Sequence, residues 1–487
     1  MEKININKRV VDKINTFQVI NDIIVPDIKP DIVSIIATNG IPYIYKQECE
    51  NGRVKMDGSI DSYIVYLSVD GDTRSIQTTF NFSNTLEDDK IKEKSNIKYK
   101  INIDSIDAKV LNERKVSVVT TLSISYYTFE VQTIEITDDF TNNIPNLQKQ
   151  EESVQIKSLV GFNMTKGSIK EDIDIENLDE IGEILKVNVS IRDSEQKISY
   201  NKILTKGECN VKILYMTEDN RIGSVQNTLP IMSFVDMENI KDGDTCLVEY
   251  NIKNMLFKIN SREDHSITVQ IDFEIFCEAY EEKNINILKD AYSLNSNVDI
   301  SYKTIEVDNF DVDNNELIEI NERIKVDDIK NVLDIEKGKI VILKKDNFNI
   351  EGEVNIILYH DLTSKNGLNI KNLKIPFISK LKNQNNVEFV YQNIETNLSG
   401  EDVILNIKLL AKNVDKNYNS MNIIETINMN DIPLLEDYNV VVYMVKKNDN
   451  IWNIAKKFKV TIDSIIKVNN LDNPDMIYPG DKLYILR

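Results

Sequence analysis

The eleven residues ITVQIDFEIFC, 267–277, decide the fold class of most of this chain. Ile267, Val269, Ile271, Phe273, Ile275 and Cys277 fall on one parity, and Thr268, Gln270, Asp272 and Glu274 on the other. A period of two over five pairs is the pattern of a strand with one face buried and one wet. The same alternation runs through Val116, Val118, Thr120, Leu122, Ile124 and Tyr126, and through Val403, Leu405, Ile407, Leu409 and Ala411. Single-faced strands must bury that face somewhere, so a mainly β chain of sandwich-like or partly closed barrel-like units is expected.

Working outward from these strands, the same landmarks recur three times. An acidic residue followed by Ile-x-x-[Ile/Val]-[Ile/Leu] begins each copy: Asp31-Ile32 with Ile35-Ile36, Glu180-Ile181 with Ile184-Leu185, and Asp328-Ile329 with Val332-Leu333. The i, i+3, i+4 spacing predicts one or two helical turns packed on a sheet. A glycine follows (Gly58, Gly207, Gly352), then a tyrosine (Tyr66, Tyr215, Tyr359), then a second tyrosine leading into the closing strand (Tyr99, Tyr250, Tyr391). The order predicts three tandem β-rich domains, 1–136, 151–283 and 303–412. The polar stretches 137–153, 281–303 and 412–439 read as linkers.

The C-terminal stretch has a different grammar. Residues 442–487 read VYMVKKNDNIWNIAKKFKVTIDSIIKVNNLDNPDMIYPGDKLYILR. Tyr443 and Val445 alternate as a strand. Asn450 stands as an N-cap before the stripe Ile451, Ile454 and Ala455. Thr461 caps a second helix, with Val460 and Ile465 spaced as a hydrophobic staple. Pro479-Gly480 supplies a turn, and Leu483 to Leu486 close the unit. This predicts a βααβ domain over 442–487.

Composition narrows the function classes. The chain has 487 residues, a net charge of −21, 41% hydrophobic and 28% charged residues. It is globular in composition, and its acidity argues against nucleic acid, which needs a basic surface. The charge is uneven: 442–487 carries +3, leaving −24 elsewhere, so a basic module could meet an acidic partner. Cys49, Cys209, Cys246 and Cys277 form no CxxC pair and are expected as reduced, mostly buried thiols. The first sixteen residues lack the apolar core of a secretory signal, and no membrane-spanning run is present. No phosphate loop, nucleophile elbow or metal-ligand spacing occurs, so no catalytic residue, metal or cofactor is expected. His265 and His360, the only histidines, are expected at the surface.

Residues 442–487 resemble a LysM module, a small fold best known for binding N-acetylglucosamine polymers. Tyr443, Val445, Asp449, Ile454, Ala455, Phe458, Ile465, Asn469, Leu471, Asn473-Pro474, Ile477, Pro479-Gly480, Leu483 and Ile485 carry the likeness. Where that family usually has glycine and threonine beside its aspartate, this chain has Asn448 and Asn450. The resemblance places a ligand groove between Asp449, Asn450, Ile451 and the adjoining Trp452 on one side and Leu471, Asn473, Pro474, Asp475 and Ile477 on the other. With three β units ahead of it, the chain resembles a family of clostridial-type spore-coat morphogenetic proteins whose repeats are called SPOCS domains. That likeness implies a non-enzymatic scaffold in the mother-cell cytoplasm at the forespore surface. It implies the coat-base ATPase SpoIVA as protein partner, with other coat proteins or a second copy as further contacts. Binding of peptidoglycan or cortex glycan through LysM is the alternative.

Overall fold

The computed structural model describes residues 2–136, 144–175, 180–261, 264–309, 316–346, 349–364, 367–380, 387–413, 417–430, 440–471, 473 and 477–486. It is mainly β, with two short helices near the C-terminus. The first unit contains β1 (Glu2–Ile24), β2 (Ile32–Glu50), β3 (Arg53–Ser68), β4 (Thr73–Glu87), β5 (Asn96–Asn112) and β6 (Lys115–Ile136). They form two three-stranded antiparallel sheets, β2-β3-β4 and β1-β6-β5. The order repeats with β7 (Leu147–Asp174), β8 (Ile181–Ser199), β9 (Lys202–Thr217), β10 (Ile222–Asp236), β11 (Thr245–Ile259) and β12 (Ser266–Ser293). Here the sheets are β8-β9-β10 and β7-β12-β11. Beyond β13 (Asn297–Asn309), a third set follows: β14 (Glu316–Lys325), β15 (Ile329–Lys345), β16 (Ile350–Leu362), β17 (Leu368–Ser379), β18 (Val387–Ser399) and β19 (Asp402–Asn413). Its sheets are β15-β16-β17 and β14-β19-β18. The strands that alternate with a period of two are the central strands β6, β12 and β19, and their apolar parities are fully buried.

The Ile-x-x-Ile-Ile motifs are not helical. They open β2, β8 and β15, and the i, i+3, i+4 spacing arises from β-bulges. Pairing skips a residue after Ile32 and again after Ile35; it skips likewise after Ile181 and Ile184, and after Ile329 and Val332. Each bulge inserts one residue and so shifts the period-two pattern, which imitates a helical stripe. The first member of each apolar pair (Ile35, Ile184, Val332) packs in its own unit's core. The bulged second member (Ile36, Leu185, Leu333) joins a core shared by all three units, beside Val65, Leu214 and Tyr359. A further bulge in each copy lies opposite the landmark glycine: Ile44 faces Gly58, Asp193 faces Gly207, and Ile342 faces Gly352. A Cβ at Gly58 would sit 2.5 Å from the Tyr43 carbonyl oxygen, so the bulged backbone approaches too closely for any side chain.

The units close on one another in cyclic order: β4 packs on β8, β10 on β15 and β17 on β2. All three stretches expected as linkers contain strands instead: β7 already begins at Leu147, inside the first. β12 continues to Ser293 against β7, and β13 pairs with β20 (Asn417–Asn430). Ile285 and Ile287 explain this, since they continue the buried parity while the intervening residues are polar. With β1 and β6, these ribbons meet in a second common core of Ile4, Ile6, Ile134, Ile156, Ile285, Ile287, Ile305, Val307, Met421 and Ile423. The expected linker residues 137–143, 414–416 and 431–439 lie outside the described residues.

His360 corrects another expectation. It is 1% exposed on β16, with Nδ1 3.3 Å from the Asp361 carbonyl oxygen. All four cysteines are free; Cys209 and Cys277 are buried, whereas Cys49 and Cys246 are half-buried.

Candidate functional site: the C-terminal module

The module folds as β21 (Val440–Met444), α1 (Ile451–Phe458), α2 (Ile462–Asn469) and β22 (Lys482–Leu486). Asn450 caps α1, its Oδ1 accepting from the Asn453 amide at 2.7 Å. Thr461 caps α2, its hydroxyl accepting from the Ser464 amide at 3.1 Å. Val445, Ile451, Ile454, Ala455, Val460, Ile465, Leu483 and Ile485 form the core, so the capping and staple residues end where the sequence places them. Asn469 covers the outer edge of β22: its side chain accepts from the Tyr484 amide and donates to the Tyr484 carbonyl, both at 2.7 Å.

The two asparagines that depart from the LysM pattern keep the backbone duties of the residues they replace. Asn448 adopts φ 72°, the left-handed region that suits glycine, and Asn450 does the capping work of threonine. Between them, Asp449 accepts from the Tyr443 hydroxyl and the Lys446 amide, each at 2.8 Å. The Lys446 amide is the main reason its carboxyl titrates below the ordinary range.

The expected groove residues divide. Asn450 and Asn473 are exposed and Asp449 is half-buried. Ile451 is buried in the core, where Leu471 and Ile477 also pack, so both loops rest on one apolar base. Pro474 and Asp475 lie outside the described residues. Trp452 points elsewhere: it is 8% exposed, and its Nε1 donates to Asp290 Oδ2 at 2.8 Å. Asp290 and Tyr292, at the end of β12, are contacts that sequence reasoning missed. They lie in a stretch read as linker, where the apolar pair Ala291-Tyr292 signals burial after Ile285 and Ile287.

The face of the two-stranded β21–β22 sheet turned away from the helices is a second surface the sequence reading did not single out. Val440 pairs with Leu486 and Val442 with Tyr484, and Met444 continues the row. These five side chains are 43–57% exposed. Lys446, Lys447 and Lys482 lie beside them, all exposed. Among the described residues there is no group of three or more His, Cys, Asp or Glu suited to a metal ion, and no helix long and apolar enough to cross a membrane.

Comparison with known proteins agrees with this anatomy. The LysM domain model matches residues 443–486, and the model for the SipL SPOCS domain matches 31–111 and 180–260. Each SPOCS match covers the bulged strand, its two sheet partners and most of the next strand, β2–β5 and β8–β11. The chain is 44% identical over 45 residues to the spore coat assembly protein ExsA of Bacillus cereus, a match covering 9% of this chain and 7% of that one. It is 40% identical over 45 residues to the SpoIVD-associated factor A of Bacillus subtilis (strain 168), covering 9% and 12%. The chain thus spans only a small part of these relatives, and no solved structure matches it. The protein is a mainly β chain carrying two SPOCS domains of the SipL type and a C-terminal LysM domain.

Proposed function

We propose that this protein is a non-enzymatic scaffold of spore-coat assembly whose LysM domain docks a protein, the coat-base ATPase SpoIVA. The SPOCS matches and the coat-assembly role in one relative's name support the setting. In this reading the chain works from the mother-cell cytoplasm at the forespore surface, and its β units offer contacts to other coat proteins or to a second copy. The third β unit, near 303–412, acts as a further SPOCS-type domain on the strength of its strand order and bulges. The observation that carries protein docking is the apolar outer sheet face of Val440, Val442, Met444, Tyr484 and Leu486 beside lysines. An apolar centre with a polar rim is the composition of a protein interface.

The alternative is binding of peptidoglycan or cortex glycan in the groove at Asp449, Asn450, Ile451, Leu471, Asn473, Pro474, Asp475 and Ile477. It is favoured by Asn448 and Asn450, which preserve the backbone of the first groove loop. A pull-down from sporulating cells with the full chain, and with a chain lacking 442–487, separates the readings. Protein docking predicts SpoIVA in the first eluate and its loss from the second. Recovery of wall fragments without SpoIVA would favour the glycan reading.

A further inference from the structure

The LysM domain is fastened to the rest of the chain by contacts that the separation in sequence conceals. β12 carries a bulge between Leu288 and Asp290, just before its last paired residues. That inserted residue resets the side-chain alternation and helps aim Asp290 at α1. Asp290 receives the Trp452 indole N–H at 2.8 Å and the Lys456 ammonium at 2.6 and 2.8 Å. Two residues on, Tyr292 is fully buried. Its ring meets Trp452 edge-on at 5.0 Å, and its hydroxyl donates to the Val460 carbonyl at 2.7 Å. Tyr292 and Leu294 pack within the LysM core itself. A fourth contact, from Lys459 Nζ to the Ser296 carbonyl at 3.4 Å, extends the seam toward β13.

These contacts differ from ordinary surface pairing. The carboxylate of Asp290 is largely screened from water and satisfied by an indole and an ammonium from successive turns of one helix. Charge-assisted bonds of this kind are directional, and an edge-on aromatic pair fixes the ring planes as well. Together they define one orientation, whereas a flexible tether would allow many.

We propose that Asp290 and Tyr292 are positioning residues that latch the LysM domain to the end of β12, with Trp452 turned inward as the latch's receiver. On the docking function proposed above, Trp452 then serves partner binding only by holding the domain, and the sheet face on the far side from the helices is what a partner meets.

Trp452 is the chain's single tryptophan, so its fluorescence reports the latch in the full-length protein without any partner. Wild-type protein should show a blue-shifted, strongly polarised emission that acrylamide quenches poorly. Asp290→Ala and Tyr292→Ala should each raise the quenching constant roughly twofold or more and lower the polarisation, as the domain gains motion of its own. Asp290→Glu should recover part of the effect. Hydrogen exchange separates unlatching from unfolding: residues 451–469 should keep their protection in Asp290→Ala while 287–296 lose theirs. Wild-type quenching and polarisation in both alanine variants would overturn the proposal. So would loss of protection across 451–469, which would make Asp290 part of the LysM fold instead of its mooring. No coat protein enters these measurements, so their failure is distinct from failure of the docking function.

Discussion

Lys186 and Asp334 show how single residues set the order of the three units. They follow the bulged Leu185 and Leu333 at matching places in the second and third copies, where the first copy has Ala37. Both are almost fully buried, at 1% and 3% exposure, with Nζ and Oδ2 3.0 Å apart. Lys212 and Asn188 complete the coordination of Asp334, while Lys186 also reaches Glu336 and lies over the Tyr359 ring. Removing one partner strands a buried charge, so Lys186→Met should cost about 3–5 kcal/mol in a denaturant melt. The double change Lys186→Met with Asp334→Leu should recover most of that. Burial pushes Asp334 toward protonation, but Lys186 and Lys212 together outweigh it and hold the carboxyl below its ordinary value. Its contribution is therefore present above the unfolded pKa of about 4 and is lost as pH falls through the lower folded value. Lys98 behaves oppositely. Burial disfavours its charge, and Glu278 and Glu249 more than reverse that, raising its pKa. The seam it spans between the first two units should loosen as pH rises beyond about 10.4, where the unfolded lysine begins to lose its proton. A thermal melt followed across pH, compared with Lys98→Met, checks both signs.

At the scale of elements, the sequence was most legible where one face of a strand decides everything. The central strands β6, β12 and β19 alternate without interruption, so their buried parity can be read residue by residue. The LysM helices were legible for a different reason, because caps and stripe agree on the same boundaries at Asn450 and Thr461. The bulged strands were misread because an inserted residue turns a period of two into a spacing of three, which a short apolar run cannot distinguish from a helix. The landmark glycines could have corrected this, since each stands opposite a bulge. Gly58→Ala and Gly352→Ala should each destabilise the chain by about 1–3 kcal/mol, because the new Cβ meets backbone oxygen that a rotamer change cannot move. In the LysM domain, Ile454→Ala and Ile465→Ala remove nearly fully buried side chains and should each cost about 2–4 kcal/mol. Loss of hydrogen-exchange protection across 451–469 reads that cost within the full chain.

At the scale of the whole molecule, what sequence could not supply was the meeting of distant segments. Ile4, Ile285, Ile305 and Ile423 share one core although some 420 residues separate the first from the last. Nothing local in their neighbourhoods announces it. The same holds for Asp290 and Trp452, and hence for the part of the expected groove that faces inward. Three units closed in cyclic order, with a fourth domain held at one ribbon end, make a body suited to presenting a surface. The central claim is that the surface presented by LysM recognises protein before sugar. Isothermal titration of the full chain against purified SpoIVA and against N-acetylglucosamine oligomers tests it most directly, with the chain lacking 442–487 as control. The account predicts saturable heat with SpoIVA that disappears in the truncated chain, and none with the oligomers. Saturable binding of the oligomers with no response to SpoIVA would contradict it.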